Sequence, residues 1–387
     1  MAGFTSLDNL ITNISNSGKF FRSDWNKNHS TAGTVIAGTW QALMMGAGNP
    51  PANTTHVAAV TKTWHPSYDF NAAEGSIQHN GFVDTTLGAG FKHILNASIW
   101  SGAATSAPCI FMLVDVLAYS QLTAATLATF GTYTFLDIEN VTFNDGTGYL
   151  RMVTANDYDS YTPFTLSGAG TPPTGLTAGT MYWTVRVDPT HSKIFPSLQD
   201  AINLTNVIAY TNTGTPVNTM TCRWPRYADG AGVDIMLYNT VAAATSGSST
   251  IAATYMNSAG VAGKVTPATL PSSTTVTPLL GVTYSGTAAG KYGPFLPRAA
   301  GDAGVRALTN LITATNLTSG AWGVLACRPL LTLPITTIGV ASERDLVNQL
   351  PSLPKVYDGA CLAWLVYTQA VIPNNTAYYG HIDFGWS

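Results

Sequence analysis

Apolar and polar positions along this chain alternate over short periods, and long helical patterns are rare. The longest apolar runs, 109–118 and 360–372, carry Asp115 and Gln369 and fall short of the roughly 18–20 residues a spanning helix needs, so they predict buried strands. Met181-Tyr182-Trp183-Thr184-Val185-Arg186-Val187 alternates as a half-buried strand does. Two stretches have helical spacing instead. Leu7, Leu10, Ile11 and Ile14 line one face, with Ser6 as N-cap and Gly18 as stop. Between Ser342 and Leu350, Ser342 and Asp345 stand at capping-box spacing, Glu343 falls in the first turn where the helix dipole favours it, and Pro351 ends the helix.

An internal repeat organises the second half. Pro225-Arg226-Tyr227-Ala228-Asp229-Gly230-Ala231-Gly232-Val233 recurs 72 residues on as Pro297-Arg298-Ala299-Ala300-Gly301-Asp302-Ala303-Gly304-Val305, identical at six of nine positions. Each copy leads into a strand-like stretch (234–243 and 306–315), a Thr-Ser-Gly turn (Thr245-Ser246-Gly247 and Thr318-Ser319-Gly320) and a further apolar strand. The unit reads as a hairpin, and two such units suggest a β-sandwich or jelly roll with similar halves. A fainter echo at Gly88-Ala89-Gly90-Phe91, before Ser101-Gly102 and the Cys109 strand, suggests a third hairpin.

Residues 133–219 differ from their surroundings. Five of the 20 acidic residues lie between Asp137 and Asp159, and Asn144-Asp145-Gly146 and Thr171-Pro172-Pro173-Thr174-Gly175 are turn signals. One helical turn within 195–202 followed by a strand at 206–210 completes a small β module inserted into a loop of the main body. The expected organisation is an N-terminal helix or arm (1–20), a discontinuous main β-sandwich domain (21–132 plus 220–387) and the inserted β domain (133–219). The fold class is all-β, with a β-sandwich or jelly-roll-like main domain and a few short helices. Gly 36 and Pro 21, scattered among many Thr, agree with short strands and tight turns.

Composition sharpens this. Only 10% of residues are charged, 17 basic and 20 acidic, where an average domain has about a quarter. A net charge of −3 excludes a polybasic nucleic-acid binder, and 45% hydrophobic residues exclude intrinsic disorder. Mean hydropathy is +0.14, yet the pattern offers no membrane span. The N-terminus lacks the basic and apolar regions of a secretory signal, which predicts synthesis in a cytoplasm. Cys109, Cys222, Cys327 and Cys361 are far apart and form no C-x-x-C pair, so buried free thiols are expected.

Catalytic signatures are few. Gly286-Thr287-Ala288-Ala289-Gly290-Lys291-Tyr292 is one spacer short of a phosphate-binding loop and has Tyr292 where the magnesium ligand would stand. The seven histidines are not spaced as a metal set. Of three glutamates, Glu74, Glu139 and Glu343, none is placed as half of a glycosidase pair. The run Asn156-Asp157-Tyr158-Asp159-Ser160-Tyr161 suits a polar loop, a calcium site or a sugar contact equally. No catalytic residue, cofactor or metal is assigned, and an enzyme is not expected.

Trp25, Trp40, Trp64 and Trp100 crowd the first hundred residues beside Phe20, Phe21, Tyr68 and Phe70, either as core or as interface anchors. Trp25, Phe20, Phe21, Trp40 and Trp64, with the repeat arginines Arg226 and Arg298, are the interface candidates.

Several motifs resemble a family of tailed-bacteriophage virion structural proteins. They are Gly18-Lys19-Phe20-Phe21-Arg22-Ser23-Asp24-Trp25-Asn26-Lys27, Gly46-Ala47-Gly48-Asn49-Pro50-Pro51-Ala52-Asn53-Thr54, the first repeat copy, Tyr292-Gly293-Pro294-Phe295-Leu296-Pro297, Pro334-Ile335-Thr336-Thr337 and the run from Glu343 to Pro354. The resemblance spans most of the chain outside the module, and the module's Gly170-to-Trp183 stretch is similar to small β units of phage head and tail proteins. No catalytic motif comes with it. It implies a non-enzymatic virion protein, foremost a head decoration or cement protein. Such a protein sits on the capsid surface, associates with itself, a trimer being one option, and binds the major capsid protein or other virion proteins. It binds neither nucleic acid nor membrane. The alternatives are a tail or fibre adhesin whose acidic module meets glycans, and the major capsid protein itself, which the absence of a long spine-helix pattern disfavours. On the interface reading, Trp25→Ala impairs incorporation into particles and leaves the β body folded.

Overall fold

The computed structural model describes residues 4–28, 39–52, 65–66, 75–79, 92–101, 108–123, 131–134, 138–142, 149–152, 163–167, 171–188, 191–209, 218–222, 224, 226–227, 229–245, 251–267, 294–313, 317–349, 353–357, 359–373 and 375–386. Helix α1 (Leu7–Ile11) begins at the expected cap: Ser6 is extended and its Oγ accepts the Asn9 N–H at 3.0 Å. It widens into a π-helical turn over Thr12–Asn16 and ends before Gly18, whose φ of +64° suits a residue without Cβ.

Strands follow in chain order: β1 (Phe20–Asn28), β2 (Thr39–Ala42), β3 (Gly48–Asn49), β4 (His65–Pro66), β5 (Lys92–Trp100), β6 (Cys109–Thr123) and β7 (Gly131–Thr134). Next come β8 (Ile138–Thr142), β9 (Leu150–Met152), β10 (Pro163–Ser167), β11 (Met181–Arg186), β12 (His191–Phe195), α2 (Leu198–Asn203) and β13 (Asn218–Cys222). The remainder is β14 (Asp234–Thr245), β15 (Ile251–Asn257), β16 (Lys264–Val265), β17 (Val305–Thr313), β18 (Leu317–Ile335), β19 (Ser342–Asp345), α3 (Leu346–Gln349), β20 (Lys355–Val356), β21 (Leu362–Thr368) and β22 (Ala377–Trp386).

The fold is all-β and layered. A central sheet, ordered β14-β18-β6-β21-β2, carries two smaller sheets on one face. The first, β19-β5-β22-β1-β3, packs on Cys109, Phe111 and Leu113 of β6 and on Leu331, Leu333 and Ile335 of β18. The second, β16-β15-β17-β7, packs on Leu117 and Ala118 of β6 and Val324 and Ala326 of β18. Between these halves the β18–β6 ladder shifts register twice, at Ala326/Cys327 and at Pro329/Leu331. Bulges of this kind bend a strand, and here they let one long sheet face two partners. Its opposite face is buried as well, around Val114, Val116, Leu325, Cys327, Ala363 and Leu365.

The repeat does not make hairpins. β14 and β15 lie in different sheets, as do β17 and β18, and pairing runs between copies: β14 with β18, β15 with β17. Each copy is an arch, and the two arches cross. Moving the pair Asp234↔Cys327 by the repeat offset puts Arg306 opposite Tyr255, next to the observed Ala307↔Met256 and Leu308↔Tyr255. At the crossing Gly232 N–H donates to Ala303 C=O (2.9 Å) and Val305 N–H to Val233 C=O (3.0 Å). Glycine is required there, because a Cβ at Gly304 would lie 2.0 Å from the Gly230 carbonyl oxygen. The third suggested hairpin has the same outcome: Gly88 to Phe91 fall outside the described residues, and β5 and β6 belong to different sheets.

β8 to β13 close into a barrel, ordered β10-β11-β12-β9-β8-β13, around Leu150, Phe164, Leu166, Tyr182, Ile194 and Met220. β7 pairs with β17 of the body, so the closed unit runs from Ile138 to Cys222. Two local expectations are corrected. Residues 206–209 form no strand: Asn206 takes φ +52° and Ile208 N–H donates to Ile194 C=O. Ser342–Asp345 is a strand paired with β5, and helix is confined to Leu346–Gln349, with Asp345 accepting the Val347 N–H (3.0 Å) as its cap. Glu343 therefore meets no helix dipole; it accepts from Asn96 Nδ2 at 2.7 Å. An edge position beside β5 outweighed the helical spacing of a short segment.

Candidate functional site

The interface candidates divide by strand parity. β1 points Phe20, Arg22 and Asp24 outward and Ser23, Trp25 and Lys27 inward. Trp25 is 3% exposed and stands 5.5 Å from the Trp364 ring, so it belongs to the chain's own core rather than to a surface. Trp40 is also buried, against Tyr367. Phe21 is half-buried and stacks on Phe384, whereas Phe20 is 40% exposed. Trp64, Tyr68 and Phe70 lie outside the described residues. Arg298 is partly exposed and pairs with Asp234 at 3.3 Å. Burial raises the Asp234 carboxyl above its usual range, and Arg298 opposes that rise.

Arg226 is internal for a different reason. It enters the seam between the two smaller sheets and clamps Asp115 of β6: Nε donates to Oδ2 (2.9 Å), Nη2 to Oδ1 (2.6 Å) and Nη2 also to the Val116 carbonyl (2.8 Å). The Asp115 side chain is 0% exposed and accepts the Cys361 N–H as well (3.0 Å). Along the same seam Arg328 lies 4.3 Å above the Tyr227 ring, Tyr227 meets Tyr357 edge-on, and Lys355 covers the Tyr357 ring at 4.3 Å. Burial, with Asp115 close by, pushes the Tyr227 hydroxyl far above its ordinary pKa.

A second buried group adjoins the first. His79 Nε2 lies 2.6 Å from the Ala360 carbonyl, and Lys92 Nζ lies 2.6 Å from His79 Nδ1. Burial and the neighbouring Lys92 charge hold the imidazole well below its usual pKa. On β1, buried Lys27 donates to the carbonyls of Gly46 and Pro51 (3.1 Å each), and burial lowers its pKa to about 8. Asp383 of β22 takes both forks of Arg22 (2.7 and 2.8 Å). Cys109, Cys327 and Cys361 are buried free thiols, and burial pushes Cys109 up to about 12.

Chemically, these groups are spent on one another. The Asp115 carboxylate receives a guanidinium and a backbone N–H, and both ring nitrogens of His79 are engaged. Among the described residues there is no cluster of three or more His, Cys, Asp or Glu able to hold a metal, and no helix is long and apolar enough to cross a membrane. The runs 144–146, 156–161 and 286–292 fall outside the described residues. Sequence reasoning did not single out His79, Lys92 or Lys27. Asp115, a lone charge within an apolar run, was the available signal for a buried pair.

The surface shows the complementary pattern. Leu7 and Ile11, one helical turn apart, are 57% and 51% exposed, and Val340 and Val371 are also exposed. Trp100 stacks beside Tyr379 on the outer face of its sheet, with ring centroids 6.0 Å apart.

No protein-family model matches the chain, and no curated protein matches it by sequence. Two similar solved structures come from infectious bursal disease virus. The Gt strain structure gives a TM-score of 0.14 at 9% identity over 95% of this chain and 80% of that one. The VP2 subviral particle gives 0.13 at 9% identity over 97% and 85%. Likeness at that level carries no argument.

Proposed function

We propose that this chain is a non-enzymatic structural component of a bacteriophage virion, a decoration or cement protein that binds coat subunits on the capsid surface and associates with copies of itself. One observation carries the reading: the protein has only 17 basic and 20 acidic residues, and it draws Lys27, Lys92, Asp115, Arg226 and Asp383 into its interior. Its outer surface is thereby poorer still in charge while Leu7, Ile11 and Phe20 face outward. A freely diffusing protein ordinarily keeps charge on its surface for solubility, so this distribution suits a surface covered by other subunits. The motifs that resemble virion proteins point the same way. Bound across capsomer boundaries, such a chain adds stability to the shell by mass action.

The test is to add purified protein to shells that lack it. Saturable binding, density on the shell by cryo-electron microscopy and a raised rupture temperature are expected. Density confined to the tail, or no binding to shells, overturns the decoration reading.

A further inference from the structure

We propose that the outer face of the first small sheet binds a neutral glycan, with Trp100 and Tyr379 as the stacking platform for a sugar ring and the side chains of the next register row as partners for its hydroxyls. Strand parity builds the platform. Ile94, Ala97 and Ile99 of β5 and Tyr378, Ile382 and Phe384 of β22 enter the core, so Ser98, Trp100, Tyr379 and His381 point the other way. Trp100 and Tyr379 are direct cross-strand partners, 37% and 41% exposed, with ring centroids 6.0 Å apart and planes 21° from parallel. The face of an aromatic ring is negative, and the C–H groups of a pyranose present weakly positive hydrogens to it.

The register sets polar side chains beside the rings. In the same row Asn26 lies opposite Tyr379, and its Oδ1 accepts the Asn49 N–H at 3.0 Å, which turns the amide donor the other way. The next row on this face runs Glu343, Ser98, His381 and Asp24 across β19, β5, β22 and β1, with Glu343 and Asp24 exposed and His381 half-buried. Imidazole both donates and accepts, and carboxylates accept, as vicinal hydroxyls require.

Charge and area select the ligand. In the third row Arg22 is held by Asp383 through both forks, and Asp24 and Glu343 both raise its pKa, so all four charges share one neighbourhood. Three acids against one base leave two negative charges, which suit an uncharged polyol and repel a polyanion. The exposed parts of the two aromatic side chains amount to roughly 150–200 Å². That is the scale of a sugar ring or two, and well below the roughly 800 Å² per partner of a stable subunit contact. Sugar recognition there stands apart from the virion reading, and its test needs no particle.

The full chain is applied to an array of neutral oligosaccharides of glucose, galactose, mannose and N-acetylhexosamines, with heparin oligosaccharides as the anionic arm. Saturable binding of at least one neutral oligosaccharide and none of heparin is expected. Calorimetric titration of that oligosaccharide should show Trp100→Ala and Tyr379→Ala each weakening binding about tenfold or more, and Trp100→Phe, which keeps a ring, weakening it less. Hydroxyl-radical footprinting of the wild type, which needs no variant to fold, should show the sugar shielding Trp100 and Tyr379 from oxidation. The proposal is overturned if no neutral oligosaccharide binds, or if binding neither shields these rings nor responds to their loss. Sedimentation gives the third refuting outcome: a wild-type oligomer that Trp100→Ala dissociates makes this face a contact between copies of the chain.

Discussion

Replacing Gly304 with alanine tests the crossing of the two repeat arches directly. The added Cβ would stand 2.0 Å from the Gly230 oxygen, 2.7 Å from the Gly232 nitrogen and 3.1 Å from the Gly230 carbonyl carbon. All three are backbone atoms, so no rotamer change relieves the clash, and the two segments must part by more than about 1 Å to restore ordinary contact. Overpacking costs about 1–3 kcal/mol. The hydrogen bonds from Gly232 to Ala303 and from Val305 to Val233 stretch with it, at about 1 kcal/mol each. The expected total is about 3–5 kcal/mol. Gly301→Ala is the control, because Gly301 has φ +85° but its Cβ would meet nothing within 4 Å; only the left-handed backbone resists, at about 1–2 kcal/mol. Guanidinium denaturation followed by near-UV circular dichroism measures both, and hydrogen exchange locates the loss in β14 and β17. A Gly304→Ala variant within about 1 kcal/mol of wild type, or no worse than Gly301→Ala, refutes the crossing.

Arg226→Met leaves the buried Asp115 carboxylate without its guanidinium and should cost about 3–5 kcal/mol, whereas the double variant Asp115→Leu/Arg226→Met recovers most of it; denaturant midpoints of the two variants check this. Trp25→Ala opens a cavity beside Trp364 and should lose about 3–5 kcal/mol of stability, visible as a lower melting temperature before any effect on particle incorporation. Lys27, lowered to about 8 from 10.5, binds its proton more weakly in the folded state, so its contribution to stability rises as pH climbs from about 8 towards 10.5. Comparing denaturant midpoints at pH 7.5 and 9.5, the wild type should gain relative to Lys27→Met, and equal pH dependence would count against the burial of that ammonium.

Strand content was legible because it rests on local pattern. The apolar runs around Phe111 and Trp364 became the middle of the central sheet, and the alternation at Met181 to Arg186 became a barrel strand. Ser6 and Gly18 bounded the first helix and its wider turn because capping depends on neighbours only a few residues away. What lay beyond reach was long-range choice. The repeat was visible as identity, but whether its strands fold back or cross between sheets is decided by β18, which accepts β14 on one side and β6 on the other. Ser342 to Asp345 had a helix start's spacing, yet an unpaired edge of β5 recruited them. The buried pairs at Asp115 and His79 join residues 111 and 13 positions apart, and no periodicity encodes such partners.

The pairing of β1 with β22 along its whole length, Phe20 opposite Gly385 through Asn28 opposite Ala377, sets a clock on biosynthesis. At about 5–20 residues per second, the ribosome makes the partner of Phe20 roughly 20–70 s after Phe20 itself. For that interval Phe21 and Trp25 have no sheet to join. The first small sheet is therefore assembled late, and its exposed precursor is the species a cell must shield from aggregation while the rest of the chain is still being made.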